Sequence, residues 1–528
     1  MGTTRAVARN TVMLTFGLLF GRLMALFVFQ KMAPILGPDG YGVTSLAIDV
    51  SAILLIVANF GLQNLITREV ARDRVMTLRI MWSALQIRLA LGALCMAGLV
   101  LYIRVSGFDA LQRDALLIMG LGVFLEASAM ACDSVLQAHD RVASQMWGQI
   151  VSAVAYLALA FWWLDAGHGV LGVVWANVIS RVVRLAVMVP LMLTRTGPWV
   201  WRVPGRETGA AAAAGAADNA NTSANAGVAA AGQAPLIGVR ELLRMGWPLF
   251  MATTFGILYY KLDMVLLRAL RDETAVGVYG LGHRLLDVLA YAPAMFAVAL
   301  FPAMVRYEQQ GQADFERISE RALRYLHLLV LPLALLCTLA AQPITMWLAK
   351  GETGFADSVV VFQITVWGLP FLAASQVLNR MLMTANRERV FIGVAAVSLA
   401  VNVALNLLLI PRWGYFGASW AVLATFAVSA GMHWWYVRRC GMRMPVVRSL
   451  LNASAALALA WLGAAALARL AAPSWGTGWL SLPLAAGWGP NLALIALTGA
   501  LYAGATFVTR ALTPEDWRVI GQLFRRGD

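Results

Sequence analysis

Apolar residues in this chain run in long unbroken blocks, not in the alternation of a strand or the one-sided stripe of a surface helix. A window of about 19 residues on a transfer scale marks fourteen blocks: 11–36, 43–66, 80–103, 114–137, 144–164, 170–193, 244–268, 276–305, 322–349, 358–384, 391–410, 415–436, 449–470 and 490–510. Each approaches the roughly 20 residues that a helix needs to cross the hydrocarbon core. The pattern predicts an all-α polytopic membrane protein with about 14 transmembrane helices. The first block follows Arg5 and Arg9. It is too long for the core of a signal peptide and lacks a cleavage pattern, so it reads as the first span.

Composition agrees. Of 528 residues, 60% are hydrophobic and only 13% charged, against about 25% charged in a soluble domain. A soluble enzyme, a disordered chain and a fibrous protein are excluded. The formal net charge of +14 would suggest nucleic acid in a soluble protein, but here it sorts by loop. Twenty-three basic residues fall in one set of alternating loops and termini and five in the other, Arg104, Arg113, Arg271, Lys350 and Arg412. The positive-inside rule then places both termini in the cytoplasm. The four cysteines, Cys95, Cys132, Cys337 and Cys440, show no disulfide framework.

Residues 210–232 are nearly all Ala, Gly, Asn, Ser and Thr, a low-complexity tether within a linker at 196–240. It separates an N-terminal six-helix bundle (1–195) from a C-terminal one (241–440). Two further helices (441–510) and a cytoplasmic tail (511–528) follow. The two bundles resemble each other. Gly169, Gly172, Trp175 and Ala176 recur as Gly414, Gly417, Trp420 and Ala421. Asp140-Arg141-Val142 recurs as Glu388-Arg389-Val390, and Gly40-Tyr41-Gly42 as Gly277-Val278-Tyr279-Gly280. An even number of spans per repeat makes the repeats parallel, related by an axis along the membrane normal. Such a duplication predicts two pseudo-symmetric bundles around a central cavity, and transport by rocking one against the other.

Ionised side chains inside spans are costly and face cavities or partners. Arg22 stands about eleven residues into the first span, roughly 16 Å deep at 1.5 Å per residue, and is the sharpest candidate for gripping a phosphate, since a guanidinium forks onto two oxygens. Arg88, Arg181, Arg184, Lys261, Arg284 and Arg380 complete the candidate substrate-binding cations. Bland readings stand beside several of these: a buried pair with a neighbouring carboxylate for Arg22, snorkelling for Arg88, end-anchoring for Arg181 and Arg184, mutual neutralisation for Arg284 and Asp287. Asp263, Glu126 and Asp287 are candidates for ion coupling. The histidines lack metal-ligand spacing, no metal site is expected, and His327 within the ninth span can titrate. Trp162-Trp163 and Trp434-Trp435 read as interfacial belts. No glycine loop precedes a Lys-Ser/Thr pair, so ATP hydrolysis and a bound cofactor are not expected.

The stretch Arg9-Asn10-Thr11, Phe16-Gly17, Gly21-Arg22, Leu36-Gly37-Pro38 and Gly40-Tyr41-Gly42 resembles the start of the polysaccharide-transporter family, part of the multidrug/oligosaccharidyl-lipid/polysaccharide exporter superfamily. Lys261-Leu262-Asp263-Met264 with Val276–Tyr279, and Asn402–Leu409 with Gly414, Gly417 and Ala418, resemble the same family. The resemblance covers roughly residues 5–510. It implies a flippase, a transporter rather than an enzyme, that carries polyprenyl-diphosphate-linked oligosaccharide from the cytoplasmic to the outer leaflet of a bacterial inner membrane. The pathway would build a surface polysaccharide such as O-antigen or exopolysaccharide. Its implied partners are that lipid-linked substrate, membrane lipids, and the polymerase and glycosyltransferases of the pathway, with no nucleic acid. It also implies a lateral portal for lipid tails, bounded by the first and eighth spans. The related lipid II flippase carries an arginine fifteen residues before a glycine, as Arg22 stands before Gly37, but Val28 stands where that protein has a second arginine. Lipid II flipping and multidrug export remain alternatives within the superfamily. A membrane glycosyltransferase or polymerase is disfavoured because the outward loops are short and poor in charge.

Overall fold

The computed structural model describes residues 2–72, 77–196, 239–385, 387, 389–471, 496–502 and 504–506. Every regular element among them is helical: α1 (Gly2–Asn59), α2 (Leu62–Arg72), α3 (Thr77–Ser106), α4 (Ala110–Ala138), α5 (Val142–Asp165), α6 (Gly169–Thr196), α7 (Val239–Leu270), α8 (Glu273–Leu289), α9 (Tyr291–Gln310), α10 (Gln312–Leu339), α11 (Ala341–Ala349), α12 (Ser358–Thr365), α13 (Leu369–Thr384), α14 (Arg389–Arg439) and α15 (Val446–Ala471), with short 3-10 turns at Thr353–Phe355 and Val366–Gly368. Among the described residues eleven helices are long and apolar enough to cross a membrane. Most of the expected linker, 197–238, and most of the fourteenth expected span lie outside the described residues.

Two of the expected inter-span loops do not exist. The first and second spans form one 58-residue helix bent at Gly37 (φ 63°, ψ −176°). The eleventh and twelfth form one of 51 residues bent at Gly414 (φ 55°, ψ −132°). A positive φ is cheap for glycine alone, and each bend needs just one such residue. The second expected span, 43–66, stops early: α1 ends at Asn59, and Phe60 (φ 49°) and Gly61 (φ 68°) turn the chain into α2. Elsewhere the structure breaks runs that hydropathy left whole. The eighth span divides at Ala290 into α8 and α9, the ninth at Ala340 into α10 and α11, and the tenth at Val366–Gly368 into α12 and α13. Each break precedes a proline, Pro293, Pro343 or Pro370, in the first turn of the new helix. There its missing N–H leaves no helical bond unmade.

The chain divides into two compact units. One is Met1–Ala25 with Ala47–Ile257, the other Leu26–Leu46 with Leu258–Asp528. In the first, α2 turns Leu62, Leu65, Ile66 and Val70 inward against Ile80, Ala84 and Ile87 of α3, Val135 and Leu136 of α4, and Met188 and Met192 of α6. In the second, Leu331 of α10 meets Ala453, Ala456, Leu457 and Ala460 of α15 and Tyr502 beyond it. The Tyr502 hydroxyl donates to the Leu328 carbonyl at 3.2 Å.

The internal repeat is visible in the backbone. Gly169 and Gly414, matched in the sequence, have φ of 57° and 55°. Three residues on, a Cβ at Gly172 would lie 2.9 Å from Trp163, and one at Gly417 would lie 2.4 Å from the Leu409 carbonyl oxygen. In both repeats a glycine turns the chain and a second lets the new helix pass close to the old one. The second unit also contains a tighter glycine crossing. A Cβ on Gly42 would sit 2.1 Å from the Glu273 carbonyl oxygen, and one on Gly277 would sit 1.9 Å from that of Pro38. The Thr274 hydroxyl donates to Asp39 beside it.

A side chain at Gly277 must push α8 off the segment after the Gly37 bend. Gly277→Val is expected to destabilise the detergent-solubilised protein by about 1–3 kcal/mol, the cost of overpacking, and to lower its melting temperature. Gly98→Ala, where a Cβ meets nothing within 4 Å, leaves the melting temperature unchanged.

Candidate functional site

Charged residues inside the apolar helices gather into one network in each unit. In the first unit Arg184 of α6 is buried between two carboxylates of α4. It donates to Glu126, and its Nη2 lies 2.5 Å from Asp133 Oδ2. Glu126 and Asp133 are two turns apart on one face of α4, so a single guanidinium reaches both. Arg88 and Arg181 flank this triad, their charges acting on Asp133 and Glu126 respectively. Arg88, only 2% exposed, donates from Nη2 to Asn59 Oδ1 at 2.8 Å. Arg181 is half-buried, reaches Ser51 Oγ at 3.4 Å and lies against Gly122. Asp49 is buried in the same unit.

In the second unit Lys261 of α7 donates to Asp287 Oδ2 of α8 at 2.9 Å. Arg284, one turn before Asp287, is 3.4 Å from the same oxygen, and its guanidinium lies 4.8 Å from the Phe29 ring centroid. The expected Arg284–Asp287 pair forms, with Lys261 the nearer partner. Asp263, fully buried two residues after Lys261, turns the other way and accepts from the Tyr279 hydroxyl. His283, which spacing alone did not single out, sits 1% exposed inside this network. Its Nδ1 is 3.3 Å from the Tyr279 hydroxyl and its Nε2 3.8 Å from Asp287 Oδ1. The signal for it was the i, i+4 spacing of Tyr279, His283 and Asp287, which puts all three on one face of α8. His327 lies elsewhere, fully buried with Nδ1 3.0 Å from Ser449 Oγ.

Two further candidates are Arg22 and Arg380. Arg22 is exposed on α1 in the first unit, fifteen residues before the Gly37 bend. Arg380 of α13, in the second unit, is half-buried, with its guanidinium 5.6 Å from the Phe301 ring centroid and Nη1 3.7 Å from Met383 Sδ. Among the described residues no carboxylate lies within ion-pair distance of Arg380. An aromatic face and a thioether hold a guanidinium without neutralising it. No group of three or more His, Cys, Asp and Glu among the described residues can hold a metal ion.

Comparison with known proteins bears on what such a helical frame is for. The model of the family described as "Polysaccharide biosynthesis protein" matches residues 7–308, and the MatE model matches residues 248–408. The chain is 21% identical over 434 residues to the "Probable low-salt glycan biosynthesis flippase Agl15" of Haloferax volcanii, covering 82% of this chain and 83% of that protein. Among solved structures it resembles the lipid II flippase MurJ in an inward closed conformation, with a TM-score of 0.68 at 13% identity over 94% of this chain and 99% of that one. It also resembles an inward-facing multidrug resistance MATE transporter, with a TM-score of 0.64 at 15% identity over 82% of this chain and 98% of that one. These two likenesses establish a shared two-lobed helical fold. The family match spans more than half of the chain, and the protein belongs to the polysaccharide biosynthesis protein family.

Proposed function

We propose that this protein is a flippase for a polyprenyl-diphosphate-linked oligosaccharide, moving it from the cytoplasmic to the outer leaflet of a bacterial inner membrane by alternating access, with both termini in the cytoplasm. Glycosyltransferases would supply its substrate and a polymerase would consume it. The family and the flippase relative support the class of reaction. The observation that carries the substrate's sign is Arg380: a guanidinium inside an apolar helix, propped on Phe301 with no carboxylate at ion-pair distance among the described residues. A guanidinium held on a ring with no carboxylate beside it keeps its charge unanswered, and a diphosphate arriving at it would accept from its forked donors. A potential negative inside also drives the anion outward, by about 2.3 kcal/mol per charge per 100 mV, or roughly 4–5 kcal/mol for a doubly charged head group.

On this reading Arg380 contacts the diphosphate, and Arg22 is a candidate contact in its own right. Arg88, Arg181, Arg184, Lys261 and Arg284 set the field around the path rather than grip the substrate. Asp287, shared by Lys261, Arg284 and His283, is the strongest position for ion coupling. Asp263 is held by Tyr279, and Glu126 is committed to Arg184.

Three outcomes test this assignment. Arg380→Ala and Arg22→Ala should each slow flipping about 10- to 150-fold, the equivalent of one charge-assisted hydrogen-bonding contact. Lipid-linked intermediates should build up in the inner leaflet at unchanged protein abundance; export at the native rate in both variants would overturn the role of these arginines. Arg184→Ala should act differently, stranding Glu126 and Asp133 without their cation at a cost of about 3–5 kcal/mol, so that abundance in the membrane falls. Asp287→Asn in proteoliposomes should abolish the response of flipping to an imposed ion gradient while retaining the response to membrane potential. An unchanged gradient response would remove Asp287 from coupling.

A further inference from the structure

The end of α14 and the start of α15 carry a second cationic feature that the transport reading does not use. Trp434 and Trp435 are followed, one helical turn on, by Arg438 and Arg439. Each arginine lies over the tryptophan four residues before it, Arg438 at 5.3 Å and Arg439 at 4.0 Å from the ring centroid. The chain then turns at Gly441 (φ 79°), passes Arg443 and enters α15, whose first turn carries Arg448. Between Trp434 and Leu451 there are four arginines and no acidic residue.

The turn is held in place. Trp434 Nε1 donates to the Met444 carbonyl at 3.0 Å, and Gln312 Nε2 to that of Gly441 at 3.0 Å. The Arg443 backbone N–H donates to Glu316 Oε1 at 2.9 Å. These bonds bring the Arg443 side of the turn back beside Trp434. Arg438, Arg439, Arg443 and Arg448 are all exposed. Beside Arg448, Val447 and Leu451 are 50% and 64% exposed. The helix dipole accounts for cations in the last turn of α14. It does not account for Arg443 and Arg448 beyond the turn, nor for guanidiniums placed over indole rings.

We propose that this turn is a binding site for the head group of an anionic membrane phospholipid. The four guanidiniums take the phosphate, and Val447 and Leu451 lie against the first methylenes of the acyl chains. Tryptophan rings settle at the head-group level of a bilayer, which puts the arginines stacked on them at phosphate depth. Stacking limits the orientations of long side chains before the lipid arrives, so less entropy is lost on binding. Clustered basic residues immediately outside a span are a recurring means of holding such lipids.

Native mass spectrometry of the full chain, titrated with phosphatidylglycerol in phosphatidylcholine-containing mixed micelles, tests the site. Arg438→Ala/Arg439→Ala should weaken phosphatidylglycerol binding about thirtyfold, and Arg443→Ala/Arg448→Ala by a similar factor. Arg306→Ala/Arg317→Ala, which removes the same charge from exposed positions elsewhere, should change it less than twofold. Glycerol 1-phosphate should fail to displace the bound lipid at millimolar concentration. Melting temperatures of all three double variants in anionic-lipid-free detergent should match the native protein, so that lost binding is not lost fold. Equal weakening in all three double variants would reduce the site to diffuse charge and overturn the proposal. Displacement by glycerol 1-phosphate would overturn it too, by showing a site for soluble phosphate.

Discussion

An ionised side chain taken into a bilayer must find either water or a counter-charge, and nearly every deep feature of this protein follows from that requirement. Arg184 is caged by Glu126 and Asp133, and Lys261 by Asp287. Both arrangements link neighbouring helices, α4 to α6 and α7 to α8. The charges therefore fix helix register as well as neutralise each other. Registry is the best-attested use of buried ionic groups, since their net contribution to stability is small or negative. At Gly37 and Gly414 the backbone bends at one glycine and the helix resumes, so that two consecutive spans are joined without a separate loop.

Much of the fold was legible because hydropathy and glycine carry it. Among the described residues the apolar blocks correspond to helices, and the matched Gly169 and Gly414 share a left-handed backbone. Hydropathy could not see the breaks at Ala290, Ala340 and Val366–Gly368, since both sides of each are equally apolar. Proline three or four residues downstream was the available signal. Nor could it distinguish a loop from a bend at Leu36-Gly37-Pro38, where the turn residues are the same and only tertiary packing decides whether the helix resumes at once.

The candidate site was legible in depth but not in partnership. Position along a span identifies a costly charge; it does not say which charge answers it across sixty residues of chain. Arg284 and Asp287 were readable as a pair because their spacing is local. The Arg184 triad was not, because Glu126 and Asp133 reach it from another helix. Arg380 looked no different from the rest in sequence. Its distinction is the Phe301 ring beneath it and, among the described residues, the absence of a carboxylate at ion-pair distance, both tertiary facts.

The choice of cation follows the same physics. Only three of the forty-one basic residues are lysine, and the one buried among the described residues, Lys261, sits directly on a carboxylate. An ammonium is compact and strongly hydrated, so removing its water demands a full counter-charge. Although Lys261 also lies 5.3 Å from the Tyr260 ring centroid, that ring supplements Asp287 and does not replace it. A guanidinium is weakly hydrated and flat, and an aromatic face accommodates it. Arg284 on Phe29, Arg380 on Phe301, Arg438 on Trp434 and Arg439 on Trp435 all use this property. Arginine is therefore the cation that an aromatic face can hold in a membrane helix, with a carboxylate beside it as at Arg284 or, among the described residues, with none at ion-pair distance as at Arg380.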